Sequence, residues 1–422
     1  MRLRGATVVW LSLCCACAAA PGGADGGASG ADGSSARDGA EPTDLGSPPD
    51  AAAEFDGGPA DADAGAALPD AGAALPDAGP ADSGVARVAH VLVGSGDGNI
   101  YRWRFDLRSG ALGPRGATAA GSNPSFLAFH PGGGFVYAVN EASPNGRVAA
   151  FRFDPTSGAL SLLNRVSSEG AGPAHLSVDQ AGRFVLVANY GDGGIAVLPI
   201  QADGRLSAAV DARRAGDNAH QIQTDPANRF AFVPCLGADN IAQYRFDPLT
   251  GALSQNGAVS SAPGAGPRHL AFHPSARFAY AINESDRTIT AYAYDAAGGT
   301  LAVLGSLSTL PAGYGGQSSC AEIALHPSGR WVYGSNRGHD SIARFAVDEQ
   351  SGQLSAIDHT PTGGQTPRSF ALSADGSWLI VANQASDALV VFGVDAANGA
   401  LRAVGASIPV PRPAFVGLLE QP

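Results

Sequence analysis

The chain has 422 residues, of which 45% are hydrophobic and 15% are charged, so it can bury a sizeable core. All 26 basic residues are arginine, and the net charge is −12. Residues 1–85 carry 13 of the 38 acidic residues but only three arginines, so the remainder is near neutral. It lacks the basic surplus that a nucleic-acid-binding domain carries.

The first 20 residues are predicted to be an export signal. Arg2 and Arg4 precede a short apolar run at residues 6–13, and small residues follow. Cys17 is the predicted acylation site of a bacterial lipoprotein, with Cys14 as the alternative, and an ordinary cleaved signal peptide is the competing interpretation. A single lipid anchor holds a protein on a membrane without spanning it, so we expect an exported protein, periplasmic or at the cell surface.

Residues 21–85 are predicted to be a disordered tether. They are nearly all Ala, Gly, Asp, Pro and Ser, and Leu-Pro-Asp-Ala-Gly occurs twice, at 68–72 and 75–79. Such a composition cannot bury a core. After residue 20 no apolar run approaches the ~20 residues that a membrane-spanning helix requires. We therefore expect a spacer in front of a folded domain.

From residue 86 onward one pattern recurs, in which an aromatic residue is followed by Asp, Gly and Leu at fixed spacing. Because Asp caps a turn with its side chain and Gly adopts positive φ, the pattern predicts a strand, a turn and a returning strand. A degraded copy runs from Leu198 to Leu206. The intact copies are Trp103-Asp106-Gly110-Leu112, Phe151-Asp154-Gly158-Leu160, Tyr244-Asp247-Gly251-Leu253, Tyr292-Asp295-Gly299-Leu301, Phe345-Asp348-Gly352-Leu354 and Phe392-Asp395-Gly399-Leu401.

A second repeat, an apolar strand, a turn and a strand ending in Asn, precedes each copy from the second onward, as at residues 270–283. Each unit thus holds four short strands, the content of one propeller blade. The prediction is an all-β, seven-bladed β-propeller with four-stranded antiparallel blades over residues 86–422. The first unit lacks its inner strand, and residues 413–418 supply a matching one. We expect this C-terminal strand to complete the N-terminal blade beside residues 88–93, which removes an exposed sheet edge.

Positions that differ between the repeats are the candidate functional residues, because positions that serve the fold are filled alike. The start of the innermost strand should line one mouth of the central channel, and the end of the second strand should reach the same face. Both should border one shallow cup. The polar candidates are His220, Arg268, Glu322 and Arg368 at the start of the inner strand, His175 and His269 one position later, and Glu141, Tyr190, Glu284, Arg337 and Gln384 after the second strand.

This set can bind an anionic small molecule and move protons, since arginine binds carboxylate or phosphate and His and Glu serve as base or acid. The alternative is a network of paired charges that fills a wet channel. His130, His273 and His326 each precede Pro at an inter-strand turn, so we expect structural roles for them. The sequence contains no cluster with recognisable metal-ligand spacing, and it predicts neither a metal nor a cofactor.

Two segments carry a family resemblance. Residues 266–274, Gly-Pro-Arg-His-Leu-Ala-Phe-His-Pro, with Asn283-Glu284, and residues 335–342, Ser-Asn-Arg-Gly-His-Asp-Ser-Ile, resemble the lactonase-family propellers. That family includes bacterial 6-phosphogluconolactonase and carboxy-cis,cis-muconate cyclase, and the resemblance covers about residues 88–420. It implies a metal-independent enzyme that opens or closes a lactone ring. The active-site His, Arg, Glu and Arg of the family correspond to His220, Arg268, Glu284 and Arg337.

Three functions follow as hypotheses. The first is hydrolysis of a sugar-derived or carboxylated lactone, in which Arg268 and Arg337 hold an anionic group or the developing oxyanion. His220 or Glu284 would activate water, and the other would protonate the leaving alkoxide. The second is a non-catalytic surface propeller that binds a ligand or a protein, and the third is a muconate-type cyclase. We expect a monomer whose partner is a small lactone or carboxylate.

Overall fold

The computed structural model describes residues 87–420 of the chain. The predicted signal, the acylation sites Cys14 and Cys17 and the predicted tether lie outside these residues. The described part contains one short 3₁₀ helix, Leu236–Ala238, and 28 strands. The strands are β1 Val88–Ser95, β2 Asn99–Asp106, β3 Gly116–Ala119, β4 Leu127–Phe129, β5 Phe135–Asn140, β6 Arg147–Phe153, β7 Leu160–Ser167, β8 Pro173–Val178, β9 Phe184–Asn189, β10 Gly194–Pro199, β11 Asp211–Arg214, β12 Gln223–Thr224, β13 Phe230–Cys235, β14 Asn240–Phe246, β15 Leu253–Ser260, β16 Pro267–Phe272, β17 Phe278–Asn283, β18 Thr288–Asp295, β19 Thr300–Ser308, β20 Ser319–Leu325, β21 Trp331–Arg337, β22 Ser341–Val347, β23 Leu354–Pro361, β24 Pro367–Leu372, β25 Trp378–Asn383, β26 Ala388–Val394, β27 Leu401–Pro409 and β28 Pro413–Glu420.

These strands form seven four-stranded antiparallel sheets, which confirms the predicted seven-bladed propeller. Blade 1 has the order β28-β1-β2-β3, and blades 2 to 7 take the following strands four at a time, from β4–β7 to β24–β27. The first strand of each blade packs against its counterparts in neighbouring blades, as β24 does with β28 and β16 with β20. The start of each first strand therefore lies at the centre of the ring.

The sequence of each strand matches its place in the blade. The second strands are short apolar runs buried along their whole length, as in β9, Phe-Val-Leu-Val-Ala-Asn, and β17, Phe-Ala-Tyr-Ala-Ile-Asn. Such runs suit a strand that neighbouring blades cover on both faces. The fourth strands, such as β15 and β27, are exposed over most of their length because they form the outer rim.

The repeated Asp and Gly form the predicted turn between the third and fourth strands. In blade 2, Asp154 Oδ1 accepts a hydrogen bond of 2.8 Å from the Thr156 N–H, and Gly158 has a φ of 70°. In blade 6, Asp348 Oδ1 accepts from the Gln350 N–H at 2.9 Å, and Gly352 has a φ of 74°. A side chain at either glycine would be strained, which explains why glycine recurs there.

The histidines that precede proline tie adjacent blades together, as expected. His273 Nε2 lies 3.0 Å from the carbonyl oxygen of Gly329, and its Nδ1 lies 2.7 Å from Ser275 Oγ. His326 makes the same type of contact to Gly376 O at 3.2 Å. Because both histidines are buried and contact the neighbouring blade, their role is structural.

The C-terminal strand closes the ring as predicted. β28 pairs with β1 over seven positions, from Ala89 opposite Glu420 to Ser95 opposite Pro413. Phe415 is 7% exposed and Val416 is 1% exposed, so the strand is built into the core. Within residues 87–420 no helix has the length and apolar character that crossing a bilayer requires.

Candidate active site

Within a blade, the start of the first strand lies beside the end of the second strand, at one mouth of the channel. In blade 5, Pro267 at the start of β16 pairs with Asn283 at the end of β17, so Arg268 and Glu284 emerge side by side. Blade 6 places Arg337 at the end of β21 in the same way. We call the concave surface around this mouth the cup.

Glu284 joins two arginines at the centre of the cup. Its Oε2 lies 2.9 Å from Arg268 Nε, and its Oε1 lies 2.9 Å from Arg337 Nη2. The contact between Arg268 and Glu284 is an ion pair but not a hydrogen bond, because the Nε–H of Arg268 does not point at an acceptor. The side chains of Arg268, Arg337 and Glu284 are 4%, 16% and 25% exposed, so the cluster opens towards solvent on the Glu284 side.

Backbone carbonyls of blade 6 hold the two guanidinium groups in place. Arg268 Nη1 donates to the carbonyl of Ala321 at 2.6 Å, and Arg337 Nη2 donates to the carbonyl of Cys320 at 2.6 Å. Burial lowers the pKa of Arg268 to about 10, so the group is still charged at neutral pH. Burial alone would raise the pKa of Glu284, but Arg268 and Arg337 outweigh it and hold this pKa below its usual value.

Three histidines adjoin this cluster and contact one another edge to face. The ring centroid of His269 lies 5.1 Å from that of His220 and 5.5 Å from that of His175. Tyr190 packs edge-on against His220 at 5.5 Å. Burial holds the pKa of all three histidines well below the usual value, and Arg268 lowers it further, so they are neutral at pH 7.

His220 is the one of these histidines whose ring makes no hydrogen bond in the described part of the chain. It is 5% exposed, and its Nδ1 is fully buried without a hydrogen-bond partner. His175 Nδ1, by comparison, lies 3.5 Å from the Ile222 N–H, and His269 contacts Arg268. A buried polar group left without a partner is uncommon and calls for an explanation such as a ligand or a catalytic role.

Glu322 lies one position further along its strand than the sequence alignment predicts. Ile323 pairs with Gly334, so Glu322 corresponds to His269, and Ala321 corresponds to Arg268. Glu322 Oε1 lies 2.7 Å from His269 Nδ1 and also accepts from the Ile323 N–H at 3.1 Å. Burial raises the pKa of Glu322 to about 7, although Arg268 and Arg368 act in the opposite direction.

Arg368 reaches the same mouth from blade 7, where it lines a cavity together with Arg268 and Glu322. Burial lowers its pKa. Among residues 87–420 no carboxylate forms an ion pair with it. The Glu141 carboxylate has the largest favourable electrostatic effect on it, and Asn123 Nδ2 donates to that carboxylate at 3.1 Å.

The structure therefore gathers most, but not all, of the predicted residues. His175, Tyr190, His220, Arg268, His269, Glu284, Glu322 and Arg337 form one contact network. Arg368 and Glu141 border it through their charges. Gln384 lies near the mouth by its backbone, whose N–H donates to Thr366 O at 2.9 Å, and no side-chain contact joins it to the network in the described residues.

Two further residues border the cup that the sequence did not nominate, an aromatic one and a small polar one. Phe126 covers the blade 2 side and lies 4.2 Å from His175, 4.6 Å from Phe415 and 5.8 Å from His269 by ring centroid. Ser125, which precedes it, is 4% exposed, and its Oγ has no partner. Phe126 stands in the same repeat position as His175, and that correspondence could have nominated it.

The described residues contain no group of three or more His, Cys, Asp or Glu side chains arranged to hold a metal ion. The two cysteines in this part of the chain, Cys235 and Cys320, are buried and free. Burial raises the pKa of both thiols to about 12, so neither is a nucleophile at neutral pH.

A family model, a curated relative and solved structures all place this chain in the same family. The family model described as "Lactonase, 7-bladed beta-propeller" matches residues 90–418. A 6-phosphogluconolactonase of Bacillus subtilis is 35% identical over 285 residues, which cover 65% of this chain and 81% of the relative. A solved structure of the Pseudomonas aeruginosa periplasmic gluconolactonase PpgL has 32% identity and a TM-score of 0.74, covering 79% of this chain and 99% of that one. A putative 6-phosphogluconolactonase of Bacteroides fragilis is 31% identical with the same TM-score, covering 80% of this chain and 100% of that one.

Proposed function

We propose that this chain, which belongs to the lactonase family of seven-bladed β-propellers, hydrolyses a sugar-derived or carboxylated lactone in the cup. One observation carries the proposal. Two guanidinium groups converge on Glu284 beside His220, a buried histidine without a polar partner. This combination offers positive charge for an oxyanion next to an unpartnered ring nitrogen that can form a hydrogen bond to the substrate. The names of its relatives, 6-phosphogluconolactonase and gluconolactonase, support the same reaction class.

The charges of the cup favour an anionic substrate. Arg268, Arg337 and Arg368 bring three positive charges; Glu284 pairs with the first two, and Glu141 and Glu322 lie near Arg368 without forming an ion pair with it. Glu141 is held by Asn123, at the side of the cup. Arg368 is therefore the cation best placed to bind a carboxylate or phosphate of the substrate, because no protein carboxylate of the described range pairs with it.

The chemistry assigns different tasks to the four central residues. Arg268 and Arg337 stabilise the oxyanion that forms when water adds to the lactone carbonyl, and removal of one such donor costs roughly 3 kcal/mol of transition-state stabilisation. Glu284 is ionised at neutral pH and already bound to both arginines, so it holds them in position. His220 is neutral, and its buried Nδ1 has no partner in the described residues, so it can form a hydrogen bond to the lactone.

We propose that the reaction needs no metal, because the two arginines supply the positive charge that a metal would otherwise provide. We also propose an exported protein, tethered by residues 21–85 and acylated at Cys17 or Cys14. The similarity to a protein described as a periplasmic gluconolactonase supports export. Dialysis against a chelator should leave the activity of the pure protein unchanged.

A lactone panel tests the proposal. Purified protein is incubated with gluconolactone, 6-phosphogluconolactone and muconolactones, and acid release is recorded against a protein-free blank. We expect turnover of at least one lactone, with kcat/KM lowered about 100- to 1,000-fold by Arg268→Ala or Arg337→Ala. Arg104→Ala, an exposed arginine of β2, is the matched control and should keep full activity.

Failure to hydrolyse any lactone would refute hydrolysis. Ring closure of a muconate without lactone hydrolysis would instead identify a cyclase. If Arg268→Ala were as active as the wild-type protein, the cup would not be the active site.

A further inference from the structure

A small cavity lies at the floor of the cup. Its volume is about 10 Å³, which is the room that a single water molecule needs. Arg268, Arg368, Glu322 and Ser125 contribute polar groups to its lining. Ser125 Oγ is buried without a hydrogen-bond partner in the described part of the chain, so it is available to a molecule in the cavity.

Glu322 lines this cavity and uses one of its carboxylate oxygens for support. Oε1 is held by His269 Nδ1 at 2.7 Å and by the Ile323 N–H at 3.1 Å. No hydrogen bond to Oε2 occurs within residues 87–420, and the side chain is 13% exposed. One oxygen is thus fixed in place, and the other is free to take a proton.

A hydrogen-bonded chain sets the orientation of His269. Arg268 Nη1 lies 3.2 Å from His269 Nε2 and 3.5 Å from its Nδ1, so this contact does not select one ring nitrogen. The ionised carboxylate of Glu322 can only accept, so the proton of the neutral ring sits on Nδ1 and is donated to Oε1 at 2.7 Å. This arrangement of a carboxylate oriented by a second group resembles the support that general bases receive in other hydrolases.

The other acidic group of the cluster lacks this freedom. Both oxygens of Glu284 lie 2.9 Å from an arginine nitrogen, so a proton added there would have to displace an ion pair. His220 and His175 are buried among positive charges, which oppose the formation of a further cation. Unlike Glu284, Glu322 can be protonated without breaking an ion pair to an arginine.

We propose that Glu322, oriented by His269, is the general base that activates the attacking water, and this inference rests on the lactonase function proposed above. Oε2 takes one proton from the water as its oxygen bonds to the carbonyl carbon of the lactone. The ring C–O bond then breaks, and the proton on Glu322 passes to the departing alkoxide. The products are the open hydroxy acid and the regenerated carboxylate, so the step consumes one water and no other reactant.

The surroundings of Glu322 suit this role at neutral pH. Arg268 and His269 face it from β16, and Arg368 faces it from β24, while the residues of blades 1 to 3 that line the cavity carry no ionisable group. Burial raises the pKa of Glu322 to about 7 against the effect of the two arginines. A base whose pKa lies near the working pH is the most effective one.

Glu322→Gln and Glu322→Ala test the proposal on a lactone that the wild-type protein hydrolyses. We expect Glu322→Gln to lower kcat about 100-fold or more with KM changed less than threefold, and to lose the rise of kcat/KM with pH near 7. Formate should restore part of the activity of Glu322→Ala, because it can occupy the vacated space as a substitute base. Glu349→Ala, an exposed glutamate outside the cup, is the matched control.

The stability of the variant provides a readout that does not depend on activity. An acid whose pKa is raised on folding costs stability above its unfolded value, so the wild-type protein should lose stability as pH rises from about 4.5 to about 7. Glu322→Gln should lack this loss and remain folded. Wild-type kcat and pH profile in Glu322→Gln would overturn the proposal while leaving the lactonase function intact. An inactive wild-type protein on every lactone would overturn both.

Discussion

Removal of the C-terminal strand should destabilise the whole propeller. Truncation after Arg412 deletes β28, which pairs with β1 over seven positions and packs on β24. Phe415 and Val416 are 7% and 1% exposed, and burial of each contributes about 1.5–3 kcal/mol. These two side chains alone account for roughly 3–6 kcal/mol, a large part of the ~5–15 kcal/mol that stabilises a typical domain.

The truncated chain should melt far earlier than the full chain and aggregate, because β1 would present an unpaired edge. Thermal unfolding by circular dichroism and size-exclusion chromatography measure both effects. Removal of residues 421–422 alone, which leaves β28 whole, is the matched control. Phe415→Ala should lie between the two, since a buried Phe→Ala change costs about 3–5 kcal/mol. A monomeric truncation with an unchanged melting temperature would refute closure through the C-terminal strand.

Three further predictions concern the cup and the N-terminus. Arg368→Gln should raise KM about tenfold or more for 6-phosphogluconolactone and little for gluconolactone, in steady-state kinetics, since only the anion loses a partner; equal effects would contradict this. Glu284→Gln should lower the free energy of unfolding by about 3 kcal/mol at pH 7, because Arg268 is left buried without its counter-ion. The wild-type protein should lose this advantage as pH falls below about 4.5 through the depressed pKa of Glu284, and denaturant titrations at several pH values check the slope. Cys17→Ala should move the full-length protein from the membrane to the soluble fraction of its host; if only Cys14→Ala does so, Cys14 is the anchor.

The fold could be predicted because the same turn pattern recurs from blade to blade. The turn formed by Asp154 and Gly158 could be read from chemistry that six other units share, one of them in degraded form. The missing first strand of blade 1 and the surplus strand at the end of the chain implied their pairing. Both inferences depend only on the order of the repeats along the chain. A misalignment within one repeat therefore does not change the prediction for the others.

The position of Glu322 was harder to read because its unit is longer than the rest. The additional residues precede β20, between residues 309 and 318, and the total interval between two Asp residues does not reveal where they are inserted. The turn histidines His273 and His326 provide the correct reference, since both make the same contact to the next blade. Counting back from them pairs Glu322 with His269, as the strand register does.

The pairing of charges could not be predicted, because it depends on side-chain conformation rather than on position in the repeat. The sequence offers Arg268, Arg337 and Arg368 as equivalent cations. In the structure Glu284 engages the first two and leaves the third without a carboxylate partner in the described range. The specific role proposed for Arg368 therefore needed the geometry as well as the residue types.

The asymmetry of the cup arises entirely from side chains on a nearly symmetric frame. At the start of the inner strands, blades 1 to 3 carry the small residues Ala414, Ser125 and Ala174, and blades 4, 5 and 7 carry His220, Arg268 and Arg368. The three small residues line the cavity together with Arg268 and Arg368. Because every blade delivers a side chain to the same ring, a single substitution there can change the charge or the size of the cup. Ala174→Arg, for example, would place a large side chain where Ala174 lines the cavity and should block a lactone.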